Sequence, residues 1–372
     1  MANRAFGVII SAGGNFHVEG LHDYRPIGAF SFLGRYRVID FPISNMSNSG
    51  IDQIQVYVSS RPRSIAEHIG TGRHYNINSK RGKLQLLFTQ ISNPKSIYNN
   101  IINSFLENYE IIERMHLPYV VIAPSYMIYK QDYQQLLDTH VESGADVTLL
   151  YHRVNNARDA YVGCSVLNLN KQKGVLSITP NMGTANEKNI FMDTYVMSKE
   201  LFLDLIKQAK TRSSVFTLSD IVSQKAEELD VRGVSHKGTF ASITSLNDYY
   251  HANLDLLDLD KADDLFRSNW PIYTRTTNAC PTKYYDTADV KKSMIANGGQ
   301  IEGTVENSII GRDVRIHKGA VIRNSIILAY AEIGEGVRIE NTIVDKWAKV
   351  QHVKEIIGNP AHPDYVRRSD TV

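Results

Sequence analysis

Between residues 310 and 339 an aliphatic side chain returns every six residues: Ile310, Ile316, Ile322 and Leu328, with Ile333 and Ile339 continuing after one five-residue step. Gly311, Gly319, Gly334 and Gly336 punctuate the series. A helix repeats every 3.6 residues and a strand every two, so neither produces this spacing. A parallel β-helix does, because each coil is three short strands and its aliphatic residues stack on the coil below. At three hexapeptides per coil, residues 301–353 predict roughly three coils of about 18 residues. So short a solenoid has apolar ends and unpaired edges, and is expected to press against another domain or another subunit.

Upstream the pattern changes. Short apolar runs at residues 6–10, 53–58, 119–123, 147–151 and 195–197 alternate with helix-like stretches. In "SIYNNIINSFLENYEIIERM" and "SKELFLDLIKQA" apolar residues recur at three- and four-residue spacing, and "SRPRSIAEHI" opens with Ser and an early Pro, as helix starts do. The alternation predicts an α/β domain whose mostly parallel sheet is flanked by helices. The charged segment "LDLLDLDKADDLFRSNWPIYTR" breaks at Pro271. The expected division is residues 1–255 as the α/β domain, 256–290 as a linker and 291–372 as the β-helix.

Composition bounds the partners. A net charge of +2 over 372 residues gives no general field for nucleic acid or an acidic membrane, so any anion site must be a local cluster. The basic run Arg61, Arg63, His68, Arg73, His74, Lys80, Arg81 and Lys83 lacks the aromatic interleaving of a nucleic-acid platform. Two cysteines, Cys164 and Cys280, are too few for a disulfide framework or a zinc site. With no export-type start and no run of 18 apolar residues, a cytoplasmic protein that neither enters nor spans a membrane is expected.

Three stretches converge on one reading: "GRYRVIDFPISNMSNSGI" (residues 34–51), "EHIGTGRHY" with "KRG" (67–75 and 80–82), and "MIYKQDY" (127–133). Followed by "NDYYHANLDLL" and then the hexapeptide repeat, they resemble the glucose-1-phosphate adenylyltransferase (ADP-glucose pyrophosphorylase) family of glycogen synthesis. The resemblance implies a Rossmann-like nucleotidyltransferase domain, a left-handed β-helix, and a tetramer that joins ATP to glucose 1-phosphate and releases pyrophosphate. Such chemistry relies on Mg2+ held by carboxylates, on Lys and Arg, and on the bare backbone of a Gly-rich loop.

Against that pattern this chain departs at the positions that would hold the metal and the nucleotide, while Arg25 of the family's Arg-x-Lys-Pro segment remains. The family loop reads Gly-Gly-x-Gly-x-Arg-Leu; here Gly13 and Gly14 remain as a remnant, with Phe16 in place of the third glycine and Val18 near the arginine position. The family's nucleotide-contacting lysine aligns with Ile27. Its two metal-binding aspartates align with Tyr126 and Ser242. No catalytic residue is therefore assigned and no bound metal is expected, although the family uses Mg2+. In this the chain resembles the companion subunit that accompanies the catalytic one in Gram-positive glycogen operons, which implies a hetero-oligomer with a catalytic homologue. Family regulators are anions such as sugar phosphates and AMP, bound between the domains, so Arg25, Arg35 and Arg37 become candidate effector ligands. The alternative is an autonomous nucleotidyltransferase that places Mg2+ on Asp40, Asp132 or Asp193 instead.

Overall fold

A computed structural model describes residues 4–11, 16–58, 61–78, 80, 82–88, 101–212, 215–266 and 269–372. Gly13 and Gly14 lie outside these residues. The first domain is built on a nine-stranded mixed sheet. Four parallel strands, in the order Lys83–Phe88, Gln53–Val58, Ala5–Ile10 and Tyr119–Pro124, form its core. Lys188–Ser198 pairs antiparallel with Tyr119–Pro124 and extends the sheet toward Val147–Val154 and Val231–His236.

Alternation along the first strand explains why it sits at the centre. Phe6, Val8 and Ile10 face one core with Phe105, Phe202 and Ile206, while Ala5 and Ile9 face the other. Both faces are covered, as parallel sheets require. "SKELFLDLIKQA" lies in the helix Lys199–Arg212 and "SRPRSIAEHI" gives Arg63–Ile69. The described part of the longer amphipathic stretch is two helices, Ile101–Glu107 and Tyr109–Glu113, split at Asn108.

The second domain is a left-handed parallel β-helix of three five-stranded sheets. It has five coils where roughly three were expected, because its first coil begins at Lys283, inside the stretch assigned to the linker, and its last ends at Val366. Ile316 pairs with Ile333 and Ile333 with Val350, so these coils hold 17 residues. The inward series is Ile310, Ile316, Ile322, Ile327, Ile333, Ile339 and Val344. The five-residue step therefore falls at Ile327, and Leu328 points away into the core shared with the first domain.

That shared core joins the domains. Ile309, Ile326, Leu328 and Ile343 of the β-helix pack in the same cluster as Phe30, Phe32, Leu33 and Tyr249. Gly34 (φ 73°) passes so close that a Cβ there would stand 2.8 Å from the Ile310 carbonyl oxygen, which no larger residue tolerates. "IDFPISN" opens the helix Asp40–Asn48, whose polar residues tie down the segment around Pro271. Asn45 accepts from Trp270 Nε1 (2.9 Å), Asn48 donates to the Pro271 carbonyl (2.9 Å), and Ser44 Oγ accepts from the Tyr273 N–H (2.9 Å). The motif's polar residues are thus framework. No helix among the described residues is long and apolar enough to cross a membrane.

Candidate functional site

Tyr126 follows the central strand Tyr119–Pro124, at the carboxyl edge of the sheet where α/β proteins place their ligands. Its ring is buried, and its hydroxyl donates to the carboxylate of Asp193. Ser242 ends the short strand Phe240–Ser242, opposite Met127, and the next amide, Ile243 N–H, donates to the Tyr126 carbonyl (2.9 Å). The two positions thus meet at one corner. Ser242 Oγ lies 3.6 Å from the buried Cys164 thiol.

The donors gathered here suit each other better than a cation. Burial, reinforced by Asp193, holds the Tyr126 phenol well above its ordinary value, so it stays protonated. Burial pushes the Cys164 thiol up to about 12 and the Asp193 carboxyl up to about 6. Mg2+ takes hard anionic oxygens in near-octahedral array. A phenol, a hydroxyl, a neutral thiol and one carboxylate already engaged by a phenol do not fit it. Phe16 adds bulk: its ring centre is 5.6 Å from that of Tyr126, and it packs against the cluster of Val154, Cys164, Val166 and Ile190. Val18 and Ile27 are core residues.

The three alternative aspartates have partners of their own. Asp132 caps the helix Tyr133–Ser143 by accepting from Gln134 N–H (2.8 Å) and Gln135 N–H (3.2 Å). Asp40 is fully buried and accepts from Tyr75 Oη (2.6 Å) and the Arg37 N–H (2.8 Å), with His68 Nε2 at 2.6 Å. Asp193 holds Tyr126. Among the described residues no three His, Cys, Asp or Glu side chains converge as a metal site would need.

A second feature lies between the domains. A recess of about 220 Å3 is lined by Arg35, Arg37, His68, Arg275, Arg312 and Lys346. Arg37 Nη1 donates to the Ser64 carbonyl (2.6 Å), Arg275 Nη1 to that of Glu67 (2.6 Å), and Arg312 Nη2 to that of Arg275 (3.0 Å). Among the described residues none of these four guanidinium groups forms an ion pair with a carboxylate, and Arg312 Nε is buried without a partner. Desolvation, then Arg37 and Arg25, pull the Lys346 ammonium down to about 7. Desolvation, then Arg35, pull Arg312 down as well. Cations crowded together, with no guanidinium of the four in an ion pair among the described residues, are chemically suited to an anion.

Of the three arginines singled out by sequence, Arg35 and Arg37 line this recess. Arg25 does not: it is buried in an ion pair with Asp345, whose Oδ2 also accepts from Tyr365 Oη (2.7 Å). Its position corrects the sequence expectation, since a guanidinium already paired behind the recess holds the domains together. Arg275, Arg312 and Lys346 escaped the sequence reading because they come from the connecting segment and two coil corners, hundreds of residues from Arg35.

Comparison with known proteins agrees with this architecture. The nucleotidyl transferase family pattern matches residues 6–258, and the GlmU-like C-terminal hexapeptide pattern matches residues 280–370. Glycogen biosynthesis protein GlgD of Geobacillus stearothermophilus is 33% identical over 87% of this chain and 84% of its own length. GlgD of Bacillus subtilis is 30% identical over 98% of this chain and 96% of its own. Glucose-1-phosphate adenylyltransferase of Mycoplasma mobile is 29% identical over 85% and 83%.

Proposed function

Because the chain belongs to the glucose-1-phosphate adenylyltransferase family of nucleotidyltransferases, with a role in glycogen biosynthesis, we propose that it is that pathway's non-catalytic regulatory or assembly subunit. It joins a catalytic homologue in a hetero-oligomer and tunes the enzyme that makes ADP-glucose from ATP and glucose 1-phosphate. The observation that carries the reading is the corner formed by Tyr126, Asp193, Cys164 and Ser242, which is closed on itself by hydrogen bonds where the chemistry calls for open carboxylates. If metal-centred stabilisation is worth even ~4 kcal/mol, its loss alone slows the reaction roughly a thousandfold. The cationic recess supplies the regulatory half, as a receptor for an anionic effector such as a sugar phosphate or AMP.

The test is direct. The pure chain is incubated with ATP, Mg2+ and glucose 1-phosphate, alone and with a catalytic glucose-1-phosphate adenylyltransferase from the same organism. The expected result is no pyrophosphate alone, stable co-purification, and a changed rate or effector response in the mixture. Turnover above about 1 per second by the chain alone would instead favour an enzyme working through a shifted carboxylate such as Asp193.

A further inference from the structure

One corner column of the β-helix repeats the same backbone bond from coil to coil. The N–H groups of Asp313, Tyr330, Trp347 and Ser369 donate in turn to the carbonyls of Asn297 (3.2 Å), Arg312 (2.9 Å), Ala329 (3.3 Å) and Lys346 (3.0 Å), each one residue before the preceding corner. The corner residues are therefore Gly298, Asp313, Tyr330, Trp347 and Ser369, with φ of 85°, 55°, 65°, 66° and 60°. Left-handed backbone suits Gly and short polar residues, so two large rings in succession are outliers that persist where they have a use. Tyr330 and Trp347 stack face to face, ring centres 4.1 Å apart and planes at 10°, and are 44% and 49% exposed. Neither belongs to a buried cluster, so their placement does not serve the core.

The column leaves one ring face open. Tyr330 covers one face of Trp347, and the corner of the next coil is Ser369, whose hydroxymethyl group cannot fill a layer that coils repeat about every 4.8 Å. Among the described residues no other ring stacks on Trp347. The border of this layer is polar and of mixed kind: Lys349 and the tail residues Ser369, Asp370 and Thr371 are exposed, and the Lys349 N–H donates to the Asp370 carbonyl (2.8 Å), which holds the tail beside the platform. A pyranose matches both halves. Its axial C–H bonds meet the electronegative face of the indole, while its equatorial hydroxyls, donors and acceptors at once, reach the mixed border. We propose that the Tyr330–Trp347 pair is a carbohydrate platform whose ligand is an α-1,4-glucan chain, the polymer of the pathway in which this family works. Trp347 does not line the cationic recess and a neutral glucan needs none of its charges, so the platform stands apart from any effector bound there.

Native electrophoresis of the full chain through gels holding glycogen, with titration by maltoheptaose in free solution, tests the assignment. Glycogen is expected to retard the chain and excess maltoheptaose to release it. Trp347→Asn suits the corner's backbone and is expected to weaken maltoheptaose binding about tenfold, the worth of one stacked ring, whereas Trp347→Tyr keeps a ring and should retain most of the affinity. In the wild-type chain maltoheptaose should also slow oxidation of Trp347 by N-bromosuccinimide, read by peptide mass spectrometry, which needs no variant to fold. A wild-type chain that glycogen does not retard would overturn the proposal. So would maltoheptaose binding unchanged in Trp347→Asn, or oxidation of Trp347 unchanged by maltoheptaose, since either places the glucan elsewhere. If Trp347→Asn alters the sedimentation coefficient of a chain that binds no glucan, the rings are a subunit contact and the proposal falls.

Discussion

At Asp193 a single carboxyl couples the closed corner to pH. Burial lifts it to about 6 in the folded protein, while an unfolded Asp titrates near ~4. The folded state therefore holds this proton more tightly. The stabilisation it brings is complete below about pH 4 and is lost as pH rises through about 6. Asp193→Asn, which keeps an acceptor for Tyr126, should flatten that dependence and gain roughly 3 kcal/mol relative to wild type between the two ends of the window. Urea denaturation across the range measures this, and parallel profiles for the two proteins would mean that the carboxyl titrates normally. Tyr126→Phe should be destabilising by about 1–3 kcal/mol at neutral pH, since it strands a carboxylate withdrawn from water. Both substitutions were conceivable from sequence only in part. Tyr126 stood out because the family resemblance sets it against an acid, whereas the partner that makes its hydroxyl matter lies 67 residues away.

Within the β-helix, neighbouring residues do opposite jobs. Ile327 fills the coil interior and Leu328 the core shared with the first domain, yet both are aliphatic and both fit a period near six. The repeat was legible because stacking coils demand it; the phase was not, because a 17-residue coil drops one residue at a corner that sequence does not mark. Ile327→Ala should lower stability by about 3 kcal/mol through a cavity in the solenoid. Leu328→Ala should instead separate the unfolding of the two domains into distinct calorimetric transitions. A single transition in Leu328→Ala would show that the interface does not depend on that contact. The coil count was underestimated for a related reason: the first coil is edged by exposed Lys283 and Tyr284, whose character reads as linker.

For the molecule as a whole, the junction between domains carries both stability and the proposed regulation. The Arg25–Asp345 pair bridges 320 residues of sequence with side chains 4% and 0% exposed. Asp345→Ala leaves a buried guanidinium without its charge partner and should be destabilising by about 3–5 kcal/mol, whereas Arg25→Met with Asp345→Leu should recover much of that loss. A double variant no more stable than Asp345→Ala would place the effect elsewhere. Lys346 gives the junction a pH response of its own. Held near 7, it is cationic below that value and neutral above, so anion binding should weaken several-fold from pH 6 to pH 8. Sulfate, whose charge is constant over this interval, is a suitable probe by thermal shift. Lys346→Met should bind more weakly at pH 6 and lose the pH dependence.

The sequence by itself determined the two-domain order, the α/β and β-helix classes, and the absence of acids where Tyr126 and Ser242 stand. These are properties of local period and residue type, which need no knowledge of what is adjacent in space. Only the tertiary structure decided that Arg25 is a strut while Arg35 and Arg37 face a recess, and that Arg275, Arg312 and Lys346 complete it. Charge at one position carries no meaning until folding sets its neighbours: the same guanidinium is neutralised beside a carboxylate and left open to a ligand beside other cations.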